Sequence, residues 1–247
     1  MTGPRTPSYS ELVTSVRREG EALIAAARSG AVDVEVPTCG DWTIEDLVRH
    51  VWQVYANVTC YVSTRATSRP EKLPEMPTGD PVELLASQLD QLVGALSDAE
   101  PDTPVWTWVF DAPEAALFWA RRMAHESAVH RFDAQNAHGI RQPIDAELAA
   151  DGIDELIDII APRVYGRDKL TGPTGTISLR ATDGDSWLLE LAPDGVKRSD
   201  VLESPQVTAS GTSSALLLAL YNRVPWTSLD LAGDTDLLEK WTSTLSF

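Results

Sequence analysis

Hydrophobic residues recur at helical spacing through the first two-thirds of the chain, which predicts a series of amphipathic helices. Ser8 and Glu11 form a capping box that begins the first helix, and Gly30 ends it. Thr43, with Asp46 three residues later, begins the second. Each helix has an apolar stripe that is expected to face a common core. The stripes are Leu12, Val16, Leu23 and Ile24 in the first helix, and Leu47, Val51, Val54, Val58 and Val62 in the second.

Three further helices are predicted from their capping residues. Asp80 is a suitable N-cap and Pro81 occupies the first helical position of the third. The fourth is predicted to begin at Pro113–Glu114 and to end before Gly139, and a fifth begins at Asp145. Because most of the connections are short to moderate, we expect a four-helix bundle with one additional helix.

The pattern changes after about residue 166, where short segments with strand-like alternation replace the helical spacing. Further strands, helices and turns follow at short intervals. The predicted elements are strands at 176–180, 187–191, 206–209 and 229–231, a helix at 215–221 capped by Thr212 or Ser213, and a last helix capped by Asp234. We therefore expect a mainly α protein with a helix bundle at residues 1–166 and a small α+β domain at residues 167–247.

Composition narrows the classes of partner. A chain of 247 residues is long enough for one large or two modest domains. Its net charge of −17 argues against binding to nucleic acid or to an anionic membrane surface, because both require basic patches. No apolar run approaches the roughly 18 residues of a membrane span, and the first ten residues lack the apolar segment of a signal peptide. We expect a soluble cytoplasmic protein.

The two cysteines, Cys39 and Cys60, are too few for a structural zinc site built on thiolates and do not form a CxxC pair. Free thiols in a reducing compartment are the simplest interpretation. Any thiol chemistry is therefore expected to use a thiol supplied from outside the chain.

Candidate chemistry concentrates in the second and fourth predicted helices. Glu126 and His130 are four residues apart, so they lie about 40° apart around one helix and can converge on one ion. His50 lies on the inner stripe of the second helix and is a plausible third ligand. Three protein ligands leave coordination positions open for a reactant, as in catalytic metal sites. Two alternatives remain: a buried Glu–His cluster without metal, and iron(II) or nickel as the bound ion.

Four motifs support a resemblance that covers nearly the whole chain. Two lie in predicted bundle helices and two near the C-terminus: Trp42-Thr43-x-x-Asp46-Leu47-x-x-His50, Met123-Ala124-His125-Glu126-x-x-Val129-His130-Arg131-x-Asp133-Ala134, Leu216-Leu217-x-x-Leu220-Tyr221-x-Arg223, and Leu231-x-Gly233-Asp234-x-x-Leu237-Leu238. Together they resemble the mycothiol-dependent maleylpyruvate isomerase family. The resemblance implies a DinB-type four-helix bundle followed by a small sterol-carrier-like domain.

The resemblance also implies site residues and cofactors. His50, Glu126 and His130 correspond to the family's metal ligands, usually for zinc, and mycothiol is implied as the external thiol. Arg223 matches a family arginine implicated in binding the thiol or the substrate, although a charge near a helix C-terminus is a structural alternative. Asn222 stands where the family often has glycine, and asparagine tolerates the left-handed backbone conformation.

The implied site suggests a reaction. Zinc with three protein ligands can hold an external thiol as a thiolate near neutral pH. In an isomerase the thiolate would add reversibly to a cis double bond, permit rotation and leave, whereas in an S-transferase it would remain on the product. A non-catalytic protein that binds a metal or a small ligand is the alternative from a different class.

Three residues near the motif have less defined predicted roles. His125 is expected to pack between helices, with an acid/base role as the alternative. Arg131 is expected to make structural contacts or contacts to a metal ligand. Asp133 fits either a hydrogen bond to a metal-bound imidazole or an exposed salt bridge.

Overall fold

Four long helices form the N-terminal unit of the computed structural model, which describes residues 6–109, 115–168, 171–201 and 204–245. They are α1 (Tyr9–Arg28), α2 (Ile44–Thr64), α3 (Pro81–Ser97) and α4 (Ala116–Ala137). Helix α1 packs against α3 and α4, and α2 packs against the same two helices. Each helix therefore has two neighbours, which closes the predicted four-helix bundle around one core.

The predicted capping residues set the helix starts. Ser8 forms the predicted capping box with Glu11, and Thr43, which was predicted to begin the second helix, forms a capping box with Asp46. The Asp80 side chain accepts hydrogen bonds from the backbone of the first turn of α3. The predicted start of the fourth helix at Pro113–Glu114 lies outside the described residues. No helix in the described part of the chain is both long and apolar enough to cross a membrane.

Helix α4 differs from its neighbours because it is buried on nearly all sides. Of its 22 residues, 17 are buried, and these include charged and polar side chains as well as apolar ones. Buried ionisable groups are costly unless they have partners. Helix α4 is therefore the element in which polar contacts within the bundle are concentrated.

The chain divides by its contacts into two compact units, one spanning Pro7–Ile144 and the other beginning at Asp145. This division lies earlier in the chain than the boundary at 166/167 expected from the sequence. The reason is the fifth helix, α5 (Ala146–Glu155), which packs against α7 (Ser213–Leu220) of the C-terminal unit and groups with that unit, whereas the sequence placed it beside the bundle.

The C-terminal unit contains a five-stranded mixed sheet formed by β1 (Gly175–Ala181), β2 (Ser186–Ala192), β3 (Gly195–Arg198), β4 (Val207–Gly211) and β5 (Asp230–Gly233). The strand order is β3-β2-β1-β4-β5, and β1 pairs antiparallel with β2 and parallel with β4. Helix α5 continues through a π-helical turn at Leu156–Ile160 into α6 (Ala161–Asp168). A short 3-10 helix (Trp226–Ser228) precedes β5, and α8 (Asp236–Thr244) follows it.

Most local details of this unit agree with the elements predicted from the sequence. Thr212 caps α7, and Asn222 after its end has φ 58°, the left-handed conformation that asparagine tolerates. Two details differ. The sequence missed β3, a short edge strand whose first residue, Gly195, also belongs to a turn motif. The last helix has Thr235 at its N-cap position, one residue after the predicted Asp234.

Candidate metal centre

Helices α2 and α4 pack together in the bundle and bring three of the four predicted site residues into one cluster. The Nε2 atoms of His50 and His130 each lie 3.3 Å from the Oε1 atom of Glu126. One donor atom from each residue lies within 4.8 Å of the other two. Glu126 and His130 are one turn apart on α4, as the spacing predicted, and His50 faces them from α2.

The cluster is enclosed on the α4 side and accessible on the α2 side. The side chains of His130 and Glu126 are 10% and 17% exposed, whereas that of His50 is 37% exposed. The half-buried Trp42 ring lies beside His50 with a centroid distance of 5.0 Å. A small molecule can therefore approach the donor atoms from the side of His50 and Trp42.

Asp133 fixes the orientation of the His130 ring. Its Oδ2 atom lies 2.9 Å from His130 Nδ1, and its Oδ1 atom accepts a 2.6 Å hydrogen bond from the Thr38 hydroxyl. Asp133 is fully buried, so the alternative of an exposed salt bridge is wrong. A carboxylate partner on Nδ1 favours the tautomer with its proton there, which leaves the Nε2 lone pair directed at the cluster.

Arg122 contacts the carboxylate of Glu126 on its other oxygen. The Nη2 atom of Arg122 donates a 2.9 Å hydrogen bond to Glu126 Oε2. The two oxygens of Glu126 therefore have different partners: a guanidinium on Oε2 and two imidazole nitrogens near Oε1. Sequence analysis missed Arg122, although its spacing of four residues before Glu126 is a usable signal.

The charges in the cluster shift the pKa values of Glu126 and His130 in opposite directions. Burial alone would raise the pKa of Glu126, but the charge of His130, hydrogen bonds with both histidines and the charge of Arg122 lower it well below its ordinary value. Burial alone would lower the pKa of His130, yet Glu126 and Asp133 raise it to about 9. Without a metal, a proton on His130 thus balances the buried carboxylates.

A second group of potential ligands adjoins the first and consists of Cys39, Asp133 and the opposite nitrogen of His130. Here the Cys39 thiol lies 3.4 Å from Asp133 Oδ2. This group is the poorer candidate, because its carboxylate oxygen and its imidazole nitrogen are already hydrogen-bonded to each other. Neither Thr38 nor Cys39 was assigned to the site from the sequence, because contacts between a loop and a distant helix have no signature in residue spacing.

His125 and Arg131 lie on α4 outside the cluster. His125 is fully buried, which fits the expected packing between helices rather than acid/base chemistry at an accessible rim. The guanidinium of Arg131 donates hydrogen bonds to Glu19 of α1, to Gln135 and to the backbone carbonyls of Gln142 and Pro143. Its contacts are structural.

Arg223, the fourth predicted site residue, lies in the C-terminal unit just after α7. Its backbone N–H donates to the Leu218 carbonyl, as expected at the end of a helix, and its Nη1 atom donates 2.8 Å to the Tyr221 carbonyl. These contacts fix the backbone and one edge of the guanidinium. The role of Arg223 in binding a thiol stays a prediction.

The donor set of the cluster suits a metal ion. Two imidazole nitrogens and one carboxylate oxygen form one of the ligand sets found in catalytic zinc sites, and the same set suits iron(II). The carboxylate on the far nitrogen of His130 is the arrangement that commonly supports a metal-bound histidine. The residues present therefore fit a catalytic type of metal centre.

Comparisons with known proteins identify the fold and the family of the chain. No curated protein matches the sequence. Two solved structures, the mycothiol-dependent maleylpyruvate isomerase and a mutant of it with one histidine changed to alanine, each superpose with a TM-score of 0.64 at 14% identity. Each match covers 94% of this chain and 96% of the other, which shows a shared fold.

Family models cover most of the chain. Residues 13–135 match the model described as the mycothiol maleylpyruvate isomerase N-terminal domain, which includes the whole His50, Glu126 and His130 cluster. Residues 147–240 match the model of the corresponding C-terminal domain, which includes Arg223. The chain therefore belongs to the mycothiol maleylpyruvate isomerase family.

Proposed function

We propose that this protein is a zinc-dependent enzyme that uses mycothiol to catalyse the cis–trans isomerisation of a maleylpyruvate-type substrate. The observation that carries the proposal is the convergence of one donor atom each from His50, Glu126 and His130 within 4.8 Å of one another. Its support beyond this geometry is the family membership and the shared fold of the mycothiol-dependent isomerase.

His50, Glu126 and His130 would hold the metal ion. Zinc bound there supplies Lewis acidity that keeps an external thiol in its reactive thiolate form near neutral pH. The chain itself offers Cys39 and Cys60, but neither is among these three ligands, and Cys39 contacts Asp133. A thiol from solution is therefore the proposed nucleophile.

The protein residues prepare the site before any reactant arrives. Asp133 fixes the ring of His130 through Nδ1, so that no rotation of the imidazole is needed when a ligand binds. The greater exposure of His50 marks the side by which a thiol and an electron-poor alkene would enter. Arg223 is proposed to bind the thiol cofactor, because it lies in the family's C-terminal domain at the motif position implied by the resemblance.

Metal analysis and a thiol-dependent assay test the proposal together. Protein purified without a histidine tag should contain about one equivalent of zinc and should isomerise maleylpyruvate only when mycothiol is present. The His50→Ala variant should lose both metal and activity. Folded wild-type protein without affinity for zinc, or turnover that is equal with and without thiol, would contradict the proposal.

The fate of the thiol separates isomerase from S-transferase activity. An isomerase regenerates mycothiol in every cycle, so its concentration stays constant while the cis substrate is converted. An S-transferase consumes one thiol for each product molecule. Measuring free thiol during turnover of maleylpyruvate and of alkylating electrophiles assigns the reaction, and we expect constant thiol with maleylpyruvate. Metal-loaded protein without turnover of either substrate class would indicate a non-catalytic binding protein.

A further inference from the structure

The carboxylate of Glu126 is divided between two kinds of partner. Its Oε1 atom lies 3.3 Å from both imidazole Nε2 atoms, while its Oε2 atom accepts a 2.9 Å hydrogen bond from Arg122. The Arg122 side chain is only 9% exposed, so this contact is shielded from solvent. A charge-assisted hydrogen bond between buried groups is strong and costly to break, because neither group can exchange it freely for a hydrogen bond to water.

We propose that Arg122 is a positioning residue that restricts Glu126 to one ligand oxygen and so keeps a coordination position free for an exchangeable ligand such as a thiol. This inference rests on the proposed function, because it assumes that the cluster binds a metal ion.

The count of donor atoms gives the physical reason. A tetrahedral zinc ion has four positions, and catalytic sites fill three of them with protein ligands. His50, His130 and Glu126 Oε1 supply three donors. If Glu126 bound through both oxygens, the protein would supply four and an external ligand would have to displace one of them. The guanidinium on Oε2 opposes this second bond.

The charge of Arg122 acts in the same direction. A cation on the far oxygen withdraws electron density from the carboxylate, so Glu126 donates less to a metal on Oε1. A metal ion with weaker protein donors binds an additional anionic ligand more strongly. Arg122 is thus expected to lower the affinity of the protein for the metal slightly and to raise the affinity of the bound metal for a thiolate.

A purely structural role for Arg122 makes a different prediction. If the residue only stabilised the fold around Glu126, its removal would disorder the ligand and lower the affinities for metal and for thiol together. If it restricts Glu126 to one oxygen, its removal should lower the affinity for thiol without lowering the affinity for metal. Measuring both affinities therefore distinguishes the two roles.

The experiment uses cobalt(II) in place of zinc, because its visible spectrum reports ligand number and its bond to sulfur has a charge-transfer absorption. Cobalt affinity is measured by competition with a chromogenic chelator, and thiol affinity by titration with 2-mercaptoethanol. The variants are Arg122→Met and Arg122→Gln. Arg49→Met is the matched control, since it removes an arginine of α2 that pairs with Glu45 and contacts no atom of the cluster in the described interactions.

In Arg122→Met we expect cobalt affinity to stay within about threefold of wild type or to rise, while thiol affinity falls on the order of tenfold. Arg122→Gln, which keeps a neutral donor near Oε2, should show the same separation to a smaller extent and replaces the methionine variant if that does not fold. Arg49→Met should match wild type in both measurements.

A parallel loss of cobalt and thiol affinity, or unchanged thiol affinity in both Arg122 variants, would overturn the inference while the metal centre itself stands. Wild-type protein that binds no cobalt and no zinc would overturn the proposed function and this inference with it.

Discussion

Helix α4 contributes to two buried ionic clusters that differ in how completely their polar atoms are paired. One contains Arg131, whose guanidinium donates to Glu19, to a glutamine side chain and to two backbone carbonyls. The other contains His50, Glu126 and His130, where two imidazole nitrogens each lie 3.3 Å from one carboxylate oxygen. In the first cluster the hydrogen-bond donors of the guanidinium are paired with protein acceptors. In the second, the lone pairs of several donor atoms converge on one point.

The difference shows that burial and charge alone do not identify a binding site. Both clusters lie in the same bundle, and the Arg131–Glu19 pair is buried more deeply than Glu126 and His130. In the Arg131 cluster every charge has a complementary protein partner, so nothing further is required. In the histidine cluster, convergence of electron-pair donors requires either a proton or a cation between them, as the raised pKa of His130 indicates.

The largest expected effect comes from removing a ligand of the histidine cluster. In His130→Ala we expect affinity for zinc to fall by two orders of magnitude or more, because loss of a direct ligand exceeds the roughly 10–100-fold effect of an outer partner. Bound metal is measured by elemental analysis and by competition with a chelator. The neighbouring variant Arg131→Met serves as the control, and a similar loss of metal in both would contradict the comparison.

Removing the cation of the Arg131 cluster should affect stability instead. Among the described residues, Arg131→Met leaves the buried carboxylate of Glu19 paired with Arg18 alone, which is half exposed. Loss of one partner of a buried ion pair costs about 3–5 kcal/mol, and the remaining contact with Arg18 places the expectation near 3 kcal/mol. Chemical denaturation measures the free energy of unfolding, while zinc bound per folded molecule should not change.

A double variant distinguishes the effect of the unpaired Glu19 carboxylate from a loss of packing around Arg131. If the cost arises from the unpaired carboxylate, Glu19→Met combined with Arg131→Met should recover at least half of the lost stability, since two apolar side chains can replace a buried ion pair at little cost. A double variant as unstable as the sum of both single changes would show that packing, rather than the unpaired charge, dominates.

An intermediate effect is expected at Asp133, which is itself hydrogen-bonded by the protein and also contacts the proposed metal ligand His130. Asp133→Asn weakens the hydrogen bond to His130 Nδ1 and leaves the direct ligands in place, so we expect zinc affinity to fall about 10–100-fold. Thr38→Val is the matched control, because it removes only the hydrogen bond to the other oxygen of Asp133. If Thr38→Val lowers the affinity as much as Asp133→Asn, Asp133 supports the loop rather than the imidazole.

Local sequence signals were sufficient for most of the fold. Capping residues such as Ser8, Thr43 and Asp80 act within one turn of their own helix, so their effect is visible in the sequence. The position of α5 was harder to predict, because its apolar stripe is satisfied equally well by a bundle or by α7. Only contacts between distant segments decide between these partners.

Within the candidate site, too, residues related by local spacing were predictable and residues from distant segments were not. Glu126 and His130 were predicted from helical spacing, and His50 from its place on an inward stripe together with the family resemblance. Arg122 follows the same four-residue spacing but was missed because arginine is not a metal ligand. Thr38 and Cys39 approach Asp133 from a loop, and no periodicity relates them to α4.

The smallest expected effect concerns Arg223, which belongs to neither cluster. Arg223→Ala removes a guanidinium proposed to bind the thiol cofactor, while the hydrogen bond from its backbone N–H to Leu218 remains possible. We expect the Michaelis constant for mycothiol to rise several-fold with little change in turnover number, because an interaction made equally in ground and transition states affects binding alone. Steady-state kinetics at varied mycothiol concentration, together with zinc analysis, measures this.

Arg223→Lys should retain part of the affinity for mycothiol, since it keeps the charge. A parallel loss of zinc and activity, or no change in either, would show that Arg223 is a structural or solvated residue and that the cofactor is bound elsewhere.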